Sequence, residues 1–237
     1  MGDLRRLIVF DLDGTLVDSR RDLAESANQL IDELGGSGLT EEAIGMMVGE
    51  GAALLVRRAL AAAAVPETSQ AMARFLEIYD GRLLNHTRVY DGIPDAVRAA
   101  RRCARVAVLT NKPTRPSERI LEGLGLRELF DEVVGGDGPL PRKPDPAALV
   151  ALIGRAGATA ATTLLVGDSV IDHETARRAP VRCCLAAYGF GYGRFPAERL
   201  TGEEWIAADP FELRQIIDRF PGGPEGPPLH KTFTVGG

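Results

Sequence analysis

Short apolar runs and longer amphipathic stretches alternate along this chain. Residues 7–10, 106–109, 132–134, 163–166 and 182–187 are compact and mostly apolar, which predicts strands buried on both faces of a parallel sheet. Helical periodicity fills the intervals: a helix opened by Pro94 and running to about residue 103, others over 117–124, 147–155 and 210–219, and one that contains Asp172. Residues 19–90 break this alternation with helical patterns alone. Leu23, Ala27, Leu30, Ile31 and Leu34 form one stripe, closed by Gly35 and Gly36. Thr40 followed by Glu41 and Glu42 predicts an N-cap. After the interruption Val48-Gly49-Glu50-Gly51, helices are predicted over 52–64 and 68–84, the latter showing Met72, Phe75, Leu76 and Tyr79 on one side.

These patterns predict an α/β fold: a doubly wound, Rossmann-like parallel sheet with a small helical domain inserted after the first strand. The core is expected to comprise residues 1–18 and 91–220, and the insertion residues 19–90. Residues 221–237 are dominated by proline and glycine at their start, and predict a flexible tail.

Composition narrows the class. A chain of 237 residues can hold a large core or a main domain with a smaller one. Its net charge of -5 supplies no basic excess for nucleic acid or an anionic membrane. No apolar run approaches the ~20 residues of a membrane span, and the first strand begins too early to leave room for a signal peptide. Cys103, Cys183 and Cys184 lack metal-ligand spacing, and the adjacent pair lies in an apolar run. They read as core thiols of a reduced, cytoplasmic protein.

The chemistry concentrates where the predicted strands end. Asp11 and Asp13 follow the first strand directly, and residues two apart in an extended segment point the same way. Two carboxylates about 4 Å apart repel by roughly 4 kcal/mol at an effective dielectric near 20. Such a pair persists if a cation lies between the groups or one keeps its proton. Both solutions suit phosphoryl chemistry, in which one acid attacks and the other handles protons. Gly14 permits a close backbone approach or a positive φ, and Thr15 adds a donor. An Asp-x-Asp turn alone is more often two solvated acids. Here Thr110, Lys143, Asp168 and Asp172 also fall at or beyond the carboxyl ends of predicted strands, which a parallel sheet brings to one edge.

The order Asp11-x-Asp13-x-Thr15, Thr110, Lys143 and Gly167-Asp168-Ser169-x-x-Asp172 resembles the four motifs of the haloacid dehalogenase-like phosphatase superfamily. Val48-Gly49-Glu50-Gly51, Thr110-Asn111-Lys112-Pro113, Lys143-Pro144-Asp145-Pro146 and Tyr188-Gly189-Phe190-Gly191 resemble its phosphoglycolate phosphatase subfamily more closely. The resemblance implies that residues 19–90 form a helical cap. It implies Asp11 as nucleophile, forming an aspartyl-phosphate, and Asp13 as general acid and base. Thr110, backbone amides near Asn111, and Lys143 would hold the phosphoryl group. Mg²⁺ would bind Asp11, the carbonyl of Asp13 and Asp168, supported by Asp172 directly or through water. Gly49, Glu50 and Gly51 would read the leaving group, and Arg57 and Arg58 are candidate partners for a substrate carboxylate, although a solvated helix face suits them better. An acid at position 13 favours phosphoryl transfer over dehalogenation, since a halide leaves without a proton.

The function expected on this basis is Mg²⁺-dependent hydrolysis of a small phosphomonoester by a monomer or homodimer, with phosphoglycolate the first candidate. Alternatives are a sugar phosphate, a phosphorylated secondary metabolite, pyrophosphate, or a non-catalytic phosphate-binding module.

Overall fold

The computed structural model describes residues 5–220; the expected tail, 221–237, lies outside them. Six parallel strands form the central sheet: β1 (Leu7–Phe10), β4 (Arg105–Leu109), β5 (Glu132–Val134), β6 (Thr163–Gly167), β7 (Arg182–Ala186) and β8 (Trp205–Ala207). Their spatial order is β5-β4-β1-β6-β7-β8, so the chain builds outward from β1 on one side and then on the other. That reversal opens a crevice at the carboxyl end of β1.

Alternate strand residues enter opposite apolar layers, as the pleat requires. Ile8, Phe10, Val106, Val108, Leu164 and Val166 face one layer, with helices α5 (Ile93–Cys103), α6 (Thr114–Gly123) and α9 (Pro210–Arg219). Leu7, Val9, Ala107, Leu109 and Leu165 face the other, with α7 (Ala147–Ala156) and α8 (Val170–Arg178). Cys183 and Cys184 are buried on opposite sides of the sheet, and Cys103 is half-buried. Among the described residues no helix is long and apolar enough to cross a membrane.

The helical insertion consists of α1 (Arg20–Glu33), α2 (Glu41–Gly45), α3 (Ala52–Ala62) and α4 (Ala71–Asp80). It hangs from a two-stranded antiparallel ribbon, β2 (Val17–Asp18) and β3 (Arg88–Val89), with Val17 opposite Val89. Its apolar interior is continuous with one sheet layer: Leu23, Ile31, Leu55, Phe75 and Tyr79 share a cluster with Phe10. Thr40 caps α2 by accepting from the Ala43 amide at 3.1 Å, as expected of a hydroxyl at that position.

Four features were not anticipated. The ribbon and β8 are too short for periodicity to reveal. Helix α6 starts at Thr114, because Pro116 in the first turn removes an amide that needs no helical partner there. Asp22, on α1, is completely buried and accepts from the amides of His86 and Thr87, at 3.0 and 2.7 Å, and from the Thr87 hydroxyl at 2.7 Å.

Asp22 thus pins the start of the insertion to its return strand. Replacing it by alanine strands two amides and a hydroxyl, a loss of about 3 kcal/mol. For a chain of this size, Asp22→Ala should lower the Tm by roughly 6–12 °C. Calorimetry checks this, and an unchanged Tm would remove Asp22 as a structural tie.

Candidate active site

Sheet register sets the site. Phe10 pairs with both Val108 and Val166, so Asp11, Thr110 and Asp168 emerge at nearly the same level. The Asp11 amide still donates to the Val166 carbonyl at 2.9 Å, fixing where its side chain leaves the sheet. Lys143 arrives from the loop after β5, and Asp172 from the first turn of α8.

Lys143 is 4% exposed and joins two of the acids. Its Nζ lies 2.9 Å from Asp11 Oδ1 and 2.6 Å from Asp172 Oδ1. The other Asp172 oxygen accepts from the Ser169 amide at 3.1 Å and the Ser169 hydroxyl at 2.6 Å, closing a capping box at the start of α8. Both Asp172 oxygens are therefore committed to protein donors. Asp168 is held by the Gly191 amide, which donates to Oδ2 at 2.7 Å.

Burial first, then the Lys143 ammonium acting against it and Asp172 acting with it, leave the Asp11 carboxyl raised to about 7. Burial and the neighbouring carboxylates of Asp172 and Asp11 push Asp168 well above the usual range. Burial alone would lower Lys143, but Asp11 and Asp172 keep it firmly protonated.

Asp11, Asp168 and Asp172 bring carboxylate oxygens within 4.8 Å of one another. Asp11 Oδ1 is buried without a well-directed hydrogen-bond donor. Crowded acids that offer only hard oxygen donors fit a divalent cation. The Asp13 carboxylate lies outside this group.

Asp13 instead accepts from the Ser19 hydroxyl at 2.5 Å and from Lys112 Nζ at 3.0 and 2.9 Å. It lines one cavity with Asp11, Thr110, Asn111 and Lys112, closed on the far side by Leu55, Phe75, Leu76 and Tyr79. The Thr110 hydroxyl accepts from the Lys112 amide at 3.2 Å, which leaves its own hydrogen free to donate.

Gly14 makes the close packing possible. Its φ is +84°, and a Cβ there would sit 1.9 Å from Asp168 Oδ2. Both readings of this glycine hold together.

The helical insertion reaches the same cavity through Val48, Gly49 and Gly51. Glu50 does not line it; the side chain turns outward to Arg58 at 2.6 Å. The Asn111 side chain is a brace: Nδ2 donates to the carbonyls of Gly49 at 3.0 Å and Lys143 at 2.9 Å. Arg194, after β7, donates to the carbonyls of Gly45, Met46 and Val48 and fastens the insertion from the other side. Sequence reasoning missed Ser19, Arg194 and the backing role of Gly191. The glycine-rich stretch at the end of β7 was the available signal for the last of these. His173, next to Asp172, is buried against Glu204 at 2.7 Å, away from the cavity lining.

Residues 8–186 match the family model for haloacid dehalogenase-like hydrolases. The chain belongs to this family. A phosphoglycolate phosphatase of Rhodospirillum rubrum is 42% identical over 204 residues, covering 82% of this chain and 84% of that protein. One from Pseudomonas putida is 40% identical over 200 residues, 81% and 73% of the respective chains. A crystal structure titled as a predicted phosphoglycolate phosphatase from Haemophilus somnus superimposes with a TM-score of 0.82 at 31% identity, covering 91% of this chain and 99% of that one. This haloacid dehalogenase-like hydrolase therefore shares its architecture over nearly the whole described length, helical insertion included.

Proposed function

We propose that this hydrolase is a magnesium-dependent phosphatase that cleaves small phosphomonoesters through an aspartyl-phosphate, with phosphoglycolate the first substrate to test. The observation that carries this reading is Asp11: buried, paired with Lys143 at 2.9 Å, and facing one cavity with Asp13 and Thr110.

In the first step an Asp11 oxygen attacks phosphorus and the bond to the leaving oxygen breaks. Asp13 delivers a proton to that oxygen, so the product departs as a neutral alcohol. Asp13 then takes a proton from a water that attacks the same phosphorus, and the bond to Asp11 breaks to release phosphate. Thr110 and main-chain amides near Asn111 hold the phosphoryl oxygens. Lys143 keeps Asp11 in line and offsets its charge.

The carboxylates of Asp11 and Asp168 and the carbonyl of Asp13 would hold the cation. Asp172 acts mainly by holding Lys143 and the start of α8. When bound, magnesium supplies positive charge that screens the acids from one another and from the phosphoryl group.

Residues 19–90 act as a cap that closes the cavity over the substrate and excludes water. The ribbon, which closes just before α5, supports domain boundaries at 1–18, 19–90 and 91–220.

Protein stripped by a chelator should hydrolyse p-nitrophenyl phosphate at least about 100-fold more slowly, with the rate restored by Mg²⁺. Undiminished turnover in chelator would remove the cation from the reaction. A comparison of phosphoglycolate with larger phosphate esters tests the substrate assignment.

A further inference from the structure

Lys112 is the one cationic side chain among the residues lining the cavity between sheet and cap. Its side chain is 5% exposed. The ammonium contacts both oxygens of Asp13 and lies 4.7 Å from the centroid of the Tyr79 ring. Three hydrogens are available on such a group, and Asp13 is its one hydrogen-bond acceptor among the described residues. At most two hydrogens are used there, so at least one remains. Burial works against the charge, but Asp13 and Tyr79 outweigh it and keep Lys112 protonated.

The Tyr79 hydroxyl is a further donor, on the cap side of the cavity. It is buried, lines the same cavity and meets no well-directed hydrogen-bond partner among the described residues, with the Lys112 ammonium beside its ring. A buried polar group left unpaired is unusual in a folded protein and costs about 1–3 kcal/mol. The neighbouring wall is apolar, made by Leu55, Phe75 and Leu76. An anionic group entering beside that wall would lose hydration, which the Lys112 ammonium and the Tyr79 hydroxyl are placed to replace.

Arg57 and Arg58 do not fill that role. They form exposed pairs with Glu67 at 3.5 Å and Glu50 at 2.6 Å, and neither lines the cavity.

We propose that Lys112, with the Tyr79 hydroxyl, receives a carboxylate on the leaving-group end of the substrate. The inference rests on the phosphatase reading and adds the residues that read a carboxylate close to the ester oxygen. A substrate without that carboxylate leaves both donors unpaired, and sites built to satisfy a polar group discriminate strongly against analogues that lack it. Lys112 is thus a specificity residue, set beside the proton-handling acid.

The test compares 2-phosphoglycolate with ethyl phosphate, which is similar in size but has no carboxylate. Wild-type protein should prefer phosphoglycolate in kcat/KM. Lys112→Met should reduce the phosphoglycolate-to-ethyl-phosphate ratio by about 30-fold, equivalent to ~2 kcal/mol at 1.4 kcal/mol per tenfold, mainly through KM. Tyr79→Phe should reduce the ratio severalfold, and Lys112→Arg should keep more of it than Lys112→Met. These two variants carry the test if Lys112→Met does not fold.

The same ratio, read as binding by calorimetry in an Asp11→Asn background, should fall in parallel. Equal losses for the two esters would mean that Lys112 merely positions Asp13, and would overturn the proposal. An equal affinity of the Asp11→Asn protein for the two esters would overturn it as well. Failure of the phosphatase reading is a separate result, in which wild-type protein hydrolyses neither ester; the binding ratio still decides the role of Lys112.

Discussion

Asp11→Asn should abolish turnover, with kcat falling by on the order of 10⁴ or more for every phosphate ester tried. An amide oxygen is a poor nucleophile towards phosphorus, and none of the neighbours can replace it. Lys143 keeps Asp172, and Asp172 keeps Ser169, so the surrounding hydrogen bonds persist. The fold should therefore survive.

The stability change has a defined sign. Burial, countered by Lys143 and reinforced by Asp172, raises the Asp11 carboxyl to about 7 in the folded state, above its ordinary 3.8. A carboxyl raised in this way favours the folded state while protonated and opposes it once ionised. The stability it contributes is complete below the unfolded value near 4 and is lost as pH rises towards 7. In chelator at pH 8, Asp11→Asn should melt no lower than wild type, and higher by a few degrees in this range. The gain should vanish near pH 4. Thermal melts at both pH values and a rate assay check the two halves. A variant that folds and turns over normally would remove Asp11 from the chemistry.

Asp13→Asn should slow phosphoglycolate hydrolysis by roughly 10²–10⁴-fold, the usual contribution of a positioned acid–base group. The effect should differ between steps. p-Nitrophenolate leaves readily without a proton, so its departure should suffer least. Attack by water on the aspartyl-phosphate loses its base for every substrate. With p-nitrophenyl phosphate, the variant should show a burst approaching about one equivalent of p-nitrophenol, followed by slow turnover. Rapid mixing measures it directly. If esters of acidic and weakly acidic alcohols slow by the same factor and no burst appears, Asp13 does not act as acid and base.

Much of the site was legible because the informative patterns are local. Asp11, Thr110 and Asp168 each follow an apolar run, and runs of that kind lie side by side in a parallel sheet. Once the strands were recognised, their carboxyl ends had to meet. The spacing of Asp11 and Asp13 predicted that these two acids crowd one another, whereas the structure groups Asp11 with Asp168 and Asp172 and pairs Asp13 with Lys112. Boundaries were less accessible. Strand β8 has three residues and each ribbon strand two, lengths at which apolar alternation carries no signal.

The cap side was harder to read. Glu50 and Gly51 are adjacent in the chain, yet only the glycine lines the cavity. Which way a loop side chain turns depends on the partner it meets, here Arg58 on the following helix. Asp22 lies in the first turn of α1, but its carboxylate satisfies main-chain donors 64 and 65 residues away. Nothing in the neighbourhood of Asp22 encodes those donors.

The sequence by itself determined the order of elements, the parallel sheet, the helical insertion and the candidate acids at the strand ends. These follow from hydrophobic period, turn residues and motif spacing, all confined to short windows. Only the tertiary structure decided that Lys112 holds Asp13 across 99 residues, that Asn111 and Arg194 fasten the insertion, and that Arg57 and Arg58 stay outside the cavity. Those outcomes depend on which polar groups lose water together when separate elements pack, a condition set jointly by distant parts of the chain.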